Sequence, residues 1–326
     1  MKTLVTGGGG FLGNHIVDRL LAEGRSVRVI GRTPRPELEA RGVEVVRGDL
    51  SHRFDCDRAV EGCEIVHHSA ALAGVWGKAK EYEKTNVEGS FHLLEASKKL
   101  GVKAFVYTSS PSVVFDGQNH HMGDESLPYP KKYLCHYPRS KAIAERMVLA
   151  CHDSHGMGTL ALRPHLFWGK GDPHLVPRIL DRAKKGRLRQ VGPGGNKVHM
   201  VHVKNAAHAH LLAEKALLDQ KDVGGKAFFI TDNDPVDLWE WIKNLLQASG
   251  IPWDPKPISS TLAFNTGAFL ELFHKLLMLP GEPPMTRFVA RQLSTTHTFD
   301  TTRAKELLGY EPIVTQEEGM KELLEL

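Results

Sequence analysis

Residues 1–13 read MKTLVTGGGGFLG, an apolar strand that runs straight into a glycine-rich turn and then into a helix. Leu4 and Val5 supply the strand. Phe11, Leu12, Ile16, Val17, Leu20 and Leu21 then recur at helical period up to Gly24. Gly7, Gly10 and Gly13 are spaced three apart, and each answers a physical need. The first permits a tight turn, the second lets backbone N–H groups approach a pyrophosphate, and the third lets helix and strand pack closely. An anion held there faces the positive end of the helix. The same glycines could form a turn that binds nothing. A second strand over residues 26–30, at the distance a βαβ unit requires, favours a dinucleotide site with Gly7, Gly10, Phe11, Leu12 and Gly13 as contacts.

Working outward, 326 residues suffice for one large or two modest domains with a substantial core. The formal net charge of +4 implies neither a nucleic-acid tail nor a polybasic membrane patch. The first strand begins almost at Met1 and no run of about 18 uncharged apolar residues is present, so the expectation is a cytoplasmic protein with no membrane span. The four cysteines, Cys56, Cys63, Cys135 and Cys151, lack CxxC spacing, and the eighteen histidines form no cluster with ligand spacing. No metal site is expected.

Strands are expected near 43–47, 64–68, 104–109 and 159–163, separated by segments of crossover length, which predicts a doubly wound parallel α/β sheet of Rossmann type. Residues 81–100 read as the clearest crossover helix, with Gly101 as its C-terminal stop. A second helix is expected from Pro138 to about Cys151. Beyond Pro164 the pieces become short and proline-interrupted, predicting a Rossmann domain over 1–165 and a smaller substrate lobe over 166–326. The strand-like 227–231 reads as a return to the main sheet, so part of about 196–232 is expected to belong to the first domain and the lobes to interleave.

The second strand ends Val29-Ile30-Gly31-Arg32, with no Asp or Glu from Ser26 to Pro36 to hold a ribose diol. Gly31 leaves room and Arg32 brings charge, which favours NADP(H) over NAD(H). A solvated surface arginine is the alternative. Asp49, in Gly48-Asp49-Leu50, is placed to touch the adenine.

Ser109 and Ser110 follow the strand at 104–109, at the sheet edge where ligands of open α/β sheets bind. Tyr137 and Lys141 stand four apart in HYPRSK and project from one face of a helix start. An ammonium there can lie near the phenol and favour its ionised form. The implied chemistry is hydride transfer to or from a carbonyl carbon, with Tyr137 exchanging the proton, Ser110 hydrogen bonding to the oxyanion and Lys141 holding the nicotinamide ribose.

With these residues in place the chain resembles the extended short-chain dehydrogenase/reductases over nearly its whole length. TGGGGFLG, GDL (48–50), HHSAA (67–71), TNVEGS (85–90), YTSS (107–110), YPRSK (137–141) and LRP (162–164) follow the family's order. The resemblance implies Ser110, Tyr137 and Lys141 as active site, Leu50, Ala70 and Pro164 as further cofactor contacts, and Asn86 as a structural asparagine. VHVKNAAHAHLLA (201–213) and HTFDTTRAKELLGYEP (297–312) are similar to the 3β-hydroxysteroid dehydrogenase branch, with Asn205 where sugar-nucleotide epimerases more often carry aspartate. SPSVVFDG (110–117), PYPKKYLCHYP (128–138) and PGEPPMTRF (280–288) are similar to the 2-alkyl-3-oxoalkanoate reductases of bacterial olefin biosynthesis. That likeness implies NADPH-dependent reduction of a lipophilic 2-alkyl-3-oxoalkanoic acid, a homodimer, and association with other olefin-pathway enzymes. A sterol dehydrogenase, a sugar-nucleotide epimerase and a non-catalytic NADP(H) sensor are the alternatives; the intact Ser110, Tyr137 and Lys141 speak against the last.

Residues 261–279 carry Leu262, Phe269, Leu272, Phe273, Leu276 and Leu277 on one helical face, with Glu271, His274 and Lys275 opposite. The stripe is expected to face inward, either packing the smaller lobe or forming a lipophilic substrate wall; a membrane-surface role is disfavoured because the polar face is not rich in Lys or Arg. Arg287 and Arg291 follow closely and offer cations for a carboxylate.

Overall fold

The computed structural model describes residues 1–153 and 155–325. Its centre is a parallel sheet of seven strands: β1 (Lys2–Thr6), β2 (Ser26–Gly31), β3 (Glu44–Arg47), β4 (Ile65–His68), β5 (Ala104–Thr108), β6 (Gly158–Pro164) and β7 (Ala227–Ile230). Their order is β7-β6-β5-β4-β1-β2-β3, and every neighbouring pair is parallel. Every residue of β4 and β5 is buried, as a sheet covered by helices on both faces demands.

Two apolar cores fill those faces. On one, α1 (Phe11–Ala22) packs through Ile16, Val17 and Leu20 beside the alanine-rich α4 (Val203–Leu218). On the other, Leu93 and Leu94 of the central helix meet Ala144 and Val148 of α2 (His136–Ala150). The central helix is one long rod with an interruption: Ala79–Tyr82, a π-turn over Glu83–Glu88, then Gly89–Lys99. It ends at Gly101, whose φ of 75° suits a left-handed cap.

The strand order reverses between β1 and β4. That topological switch point opens a crevice at the carboxyl ends of the strands, where open α/β sheets place their ligands.

The smaller lobe is built from α3 (Leu175–Lys184), α5 (Leu238–Ala248), α6 (Ser260–Leu276) and α7 (Arg287–Ser294). Ile179, Trp241, Ile242, Leu245, Leu246, Ala263 and Ala290 are among its core side chains. Four short strands join it to the main domain, in the order Val236–Asp237, Lys197–Val198, His297–Phe299 and His120–Gly123. Asn205 is fully buried and clamps the C-terminal segment, donating to Asp232 and Val314 and accepting from the N–H groups of Ile313 and Val314.

One expectation is overturned here. The helix over 261–279 forms, but its apolar stripe points outward: Leu262, Phe269, Leu272, Phe273, Leu276 and Leu277 are 43–70% exposed. The face that α6 buries is Ala263, Gly267 and Glu271. At Gly267 a Cβ would lie 2.7 Å from the Thr286 carbonyl carbon, so the backbones approach too closely for the larger side chains. Glu271 is drawn in because Arg287 neutralises it. The stripe therefore neither packs the lobe nor lines a pocket. Among the described residues no helix is long and apolar enough to cross a membrane.

Candidate active site

The glycine loop lies at the switch point. Gly7 has φ 69°, and its carbonyl accepts from Gly10 N–H at 2.8 Å. A Cβ on Gly13 would sit 2.0 Å from the Gly7 oxygen, and one on Gly7 would come within 3.0 Å of the Ala70 backbone. The first turn of α1 has no side-chain cap and no acidic residue, so its N–H groups stay free for an anion. This tight glycine turn, with uncapped N–H groups at the start of α1, fits a dinucleotide pyrophosphate. Phe11 is half-buried against His15 and Leu12 is buried in the core. Ala70 N–H donates to Thr6 Oγ1 at 3.1 Å.

At the adenosine end, Arg32 is exposed just beyond β2 and Asp49 stands near it. Partial burial pushes the Asp49 carboxyl up. Hydrogen bonds from Ser51 and the charges of Arg32 and His52 outweigh it, leaving the carboxyl below its usual range. Leu50 packs on Gly89 of the central helix, and Pro164 closes β6.

The residues expected to handle the proton lie where β5 ends. Ser110 caps a short 3-10 turn, Pro111–Val114, and its hydroxyl accepts from Ser112 N–H at 3.2 Å and Ser112 Oγ at 2.9 Å. Tyr137 and Lys141 lie in the first turns of α2. Burial pushes the Tyr137 phenol up to about 12, offset in part by a hydrogen bond from Ser110. Burial pushes the Lys141 ammonium down to about 7, with Glu145 one turn further on opposing the shift. The ammonium is not turned onto the phenol, as the spacing alone suggests. Its Nζ donates to the Thr108 carbonyl at 2.5 Å and lies 4.1 Å over the Tyr107 ring.

The two arginines offered for a substrate carboxylate already have protein partners, and Arg287 also lines the cleft that reaches Cys135 and His136. Arg287 holds Glu271 through Nε at 2.8 Å and through its terminal nitrogen at 2.7 Å. Arg291 stacks over Phe264 at 4.8 Å. The lipophilic space lies instead between α3, α5 and α7, a cavity of about 310 Å³ walled by Ile179, Leu238, Trp241, Ile242, Phe288 and Leu293. Val75 belongs both to this cavity and to a more polar cleft of about 280 Å³ that reaches Cys135 and His136, the neighbours of Tyr137. Tyr82 braces the loop carrying Val75 by donating to the carbonyls of Gly74 and Trp76.

The model of the 3-beta hydroxysteroid dehydrogenase/isomerase family matches residues 4–259. The chain belongs to this family. Its members and structural neighbours are NAD(P)-dependent enzymes of the short-chain dehydrogenase/reductase superfamily, and this chain is an oxidoreductase of that kind. It is 44% identical to a 2-alkyl-3-oxoalkanoate reductase of Shewanella oneidensis, over 98% of this chain and 84% of that one. It is 43% identical to an enzyme of the same name from Stenotrophomonas maltophilia, over 99% and 98%. A 3 beta-hydroxysteroid dehydrogenase/Delta 5-->4-isomerase of Mycobacterium tuberculosis is 34% identical, over 99% and 89%. Among solved structures, the UDP-glucose 4-epimerase of Thermotoga maritima with UDP-glucose superposes with a TM-score of 0.78 at 26% identity, covering 100% of this chain and 98% of that one.

Sequence reasoning passed over one feature of this site and read another only as structural. The Arg35 guanidinium lies across the glycine loop, where a Cβ on Gly9 would be 2.6 Å from its Nε. The signal was a second arginine three residues after Arg32. The other is Asn86, which the π-turn points at the site. It clips both backbone groups of Leu72 and donates to Ser140, whose hydroxyl donates to the Tyr137 carbonyl. The loop beside the cofactor crevice and the first turn of α2 are thereby fixed to one side chain.

Proposed function

We propose that the chain is an NADPH-dependent reductase that converts a 2-alkyl-3-oxoalkanoic acid to the 2-alkyl-3-hydroxy acid. The observation that carries this reading is the largely apolar cavity between α3, α5 and α7, which shares Val75 with the cleft that reaches Cys135 and His136. A sugar nucleotide has no use for such walls; an alkyl chain does. The names of the relatives at 43–44% identity agree with it.

When bound, the nicotinamide supplies the hydride. The chain's own residues manage the proton and the charge. Tyr137, with a phenol raised to about 12, is protonated at neutral pH and gives its proton to the carbonyl oxygen as the hydride arrives. Ser110 donates to that oxygen while charge develops on it. Lys141 holds the ribose, and its charge steadies the phenolate left behind. Arg32 and Arg35 would supply the cations for a 2′-phosphate when the dinucleotide is bound.

The test is turnover of NADPH with three ketone classes: a 2-alkyl-3-keto acid, a 3-ketosteroid and a 4-keto sugar nucleotide. The keto acid is expected to give the highest kcat/KM. Faster turnover of the steroid would transfer the assignment to the steroid branch, where relatives at 34% identity lie.

A further inference from the structure

A line of buried polar side chains crosses the sheet and ends at Lys141. Arg25 Nη1 meets Glu214 Oε1 at 2.8 Å, Glu214 Oε2 meets His67 Nε2 at 2.8 Å, and His67 Nδ1 meets His210 Nδ1 at 3.3 Å. His210 Nε2 meets Thr108 Oγ1 at 3.0 Å, and the carbonyl of Thr108 accepts from Lys141 Nζ. Glu214, His67, His210, Thr108 and Lys141 are at most 6% exposed.

Burying so many polar groups is costly unless each is satisfied, and here the donors and acceptors follow one order. Burial pushes the Glu214 carboxyl up, but His67 and Arg25 outweigh it, so the group is an ionised acceptor. One tautomer assignment satisfies every contact of the line: His67 donates from Nε2 to Glu214 and accepts at Nδ1. His210 Nδ1 donates to it, and His210 Nε2 is left to accept the Thr108 hydroxyl proton. Thr108 is therefore held at its side chain by the line and at the following N–H by β6, through Ser109 N to Leu162 O at 2.6 Å. The Thr108 carbonyl faces Lys141 and accepts from its Nζ.

We infer that Thr108, tied through His210 and His67 to Glu214, is a positioning residue that sets where the Lys141 ammonium stands. The inference rests on the role proposed above for Lys141. Thr108 touches neither substrate nor cofactor in this scheme; it acts through the lysine.

The test is a double-mutant cycle on Thr108→Val, which keeps the shape and deletes the hydroxyl, and Lys141→Met. It is read as kcat with a 2-alkyl-3-keto acid and as NADPH Kd by fluorescence, with the Tm of each variant. T108V is expected to lower kcat about tenfold and weaken NADPH, while leaving KM for the keto acid within about twofold. T108S, which restores the hydroxyl, is expected to recover most of the loss. In the K141M background T108V should have no further effect on either readout, because the lysine it positions is gone. The same fold-loss in both backgrounds, or normal turnover by T108V, overturns the inference. Near-normal turnover by K141M would instead remove the role assigned to Lys141, so the two failures are distinguishable. Should T108V not fold, H210L takes its place in the cycle and H210Q, which keeps a polar atom near the Nε2 position, takes the place of T108S.

Discussion

Lengthening the alkyl chain of the substrate one methylene at a time tests where the lipophilic part of the molecule goes. Each buried methylene is worth about 0.8 kcal/mol, which is about fourfold in kcat/KM at room temperature. The cavity between α3, α5 and α7 measures about 310 Å³. At about 30 Å³ for a water-sized group, that is room for about ten methylenes. The expected profile is a steep rise with chain length that flattens near that number. Narrowing the cavity with Ile179→Trp should move the plateau to shorter chains while leaving the slope below it unchanged, because short chains still bury each added group. The assay is initial-rate NADPH oxidation with a homologous series of 2-alkyl-3-keto acids, for both proteins. A flat profile would refute the reasoning outright. A rising profile that Ile179→Trp does not shift would place the chain somewhere other than this cavity.

Tyr137→Phe removes the proposed proton donor with little change of shape, so kcat should fall at least about a hundredfold while fluorescence titration still detects NADPH binding. Arg32→Ala and Arg35→Ala should each weaken NADPH much more than NADH, by about 1.5–3 kcal/mol for a charge-assisted phosphate contact; equal effects on the two cofactors would detach both arginines from the 2′-phosphate. Acid should destabilise the fold early. Burial holds His68 near 3, His199, His202 and His297 near 4, and His165 and His210 well below the ordinary value, so each is neutral when folded. Unfolded histidine binds protons below about 6.5, so each such group removes up to about 1.4 kcal/mol of stability per pH unit below that value. Tm should therefore drop steeply below about pH 6, on top of the shallower loss that the lowered Lys141 ammonium already gives above pH 7; a flat Tm down to about pH 5 would contradict the burial of these rings. Finally, replacing Leu272 and Leu276 with glutamine should shift stability by no more than about 0.5 kcal/mol per site, as measured by urea unfolding, because both side chains stand in solvent.

The parallel sheet was legible because its determinants are local and periodic. A strand such as Ile65–His68 is buried on both faces and reads as an uninterrupted run, and Gly101 ends the central helix by its own conformational freedom. The glycine loop was legible for a related reason: the close approaches at Gly7 and Gly13 are made by neighbours in sequence or by a strand that pairs directly with β1. The orientation of Lys141 was not. Spacing puts it on one face of α2 with Tyr137, but its acceptor is a carbonyl 33 residues away on β5. No motif in HYPRSK encodes that partner. The lipophilic cavity was hidden similarly, since its walls come from residues 179, 238–242 and 288–293, which share no periodic stripe.

The reversal of α6 shows which cue was misweighted. Amphipathicity ranks the two faces of a helix by transfer free energy, and by that measure the stripe of Leu and Phe belongs inside. The ranking assumes that either face can reach the core. Here Ala263, Gly267 and Glu271 recur every fourth residue along a narrow line; the small Ala263 and Gly267 let α6 lie against the backbone of Thr286 and Arg287, and Glu271 pairs with Arg287 there. Turning the helix to bury Phe269 and Phe273 would drive the axes apart and strip Glu271 of its three hydrogen-bonded or ionic contacts with Arg287. A carboxylate left buried without that partner would cost several kcal/mol, and the loop from 277 to 286 would lose its anchor at the start of α7. Close packing and one compensated charge thus outweigh the apolar stripe. Two small residues four apart and a carboxylate four further on, opposite a hydrophobic face, were the signal in the sequence that this face could be the one packed close.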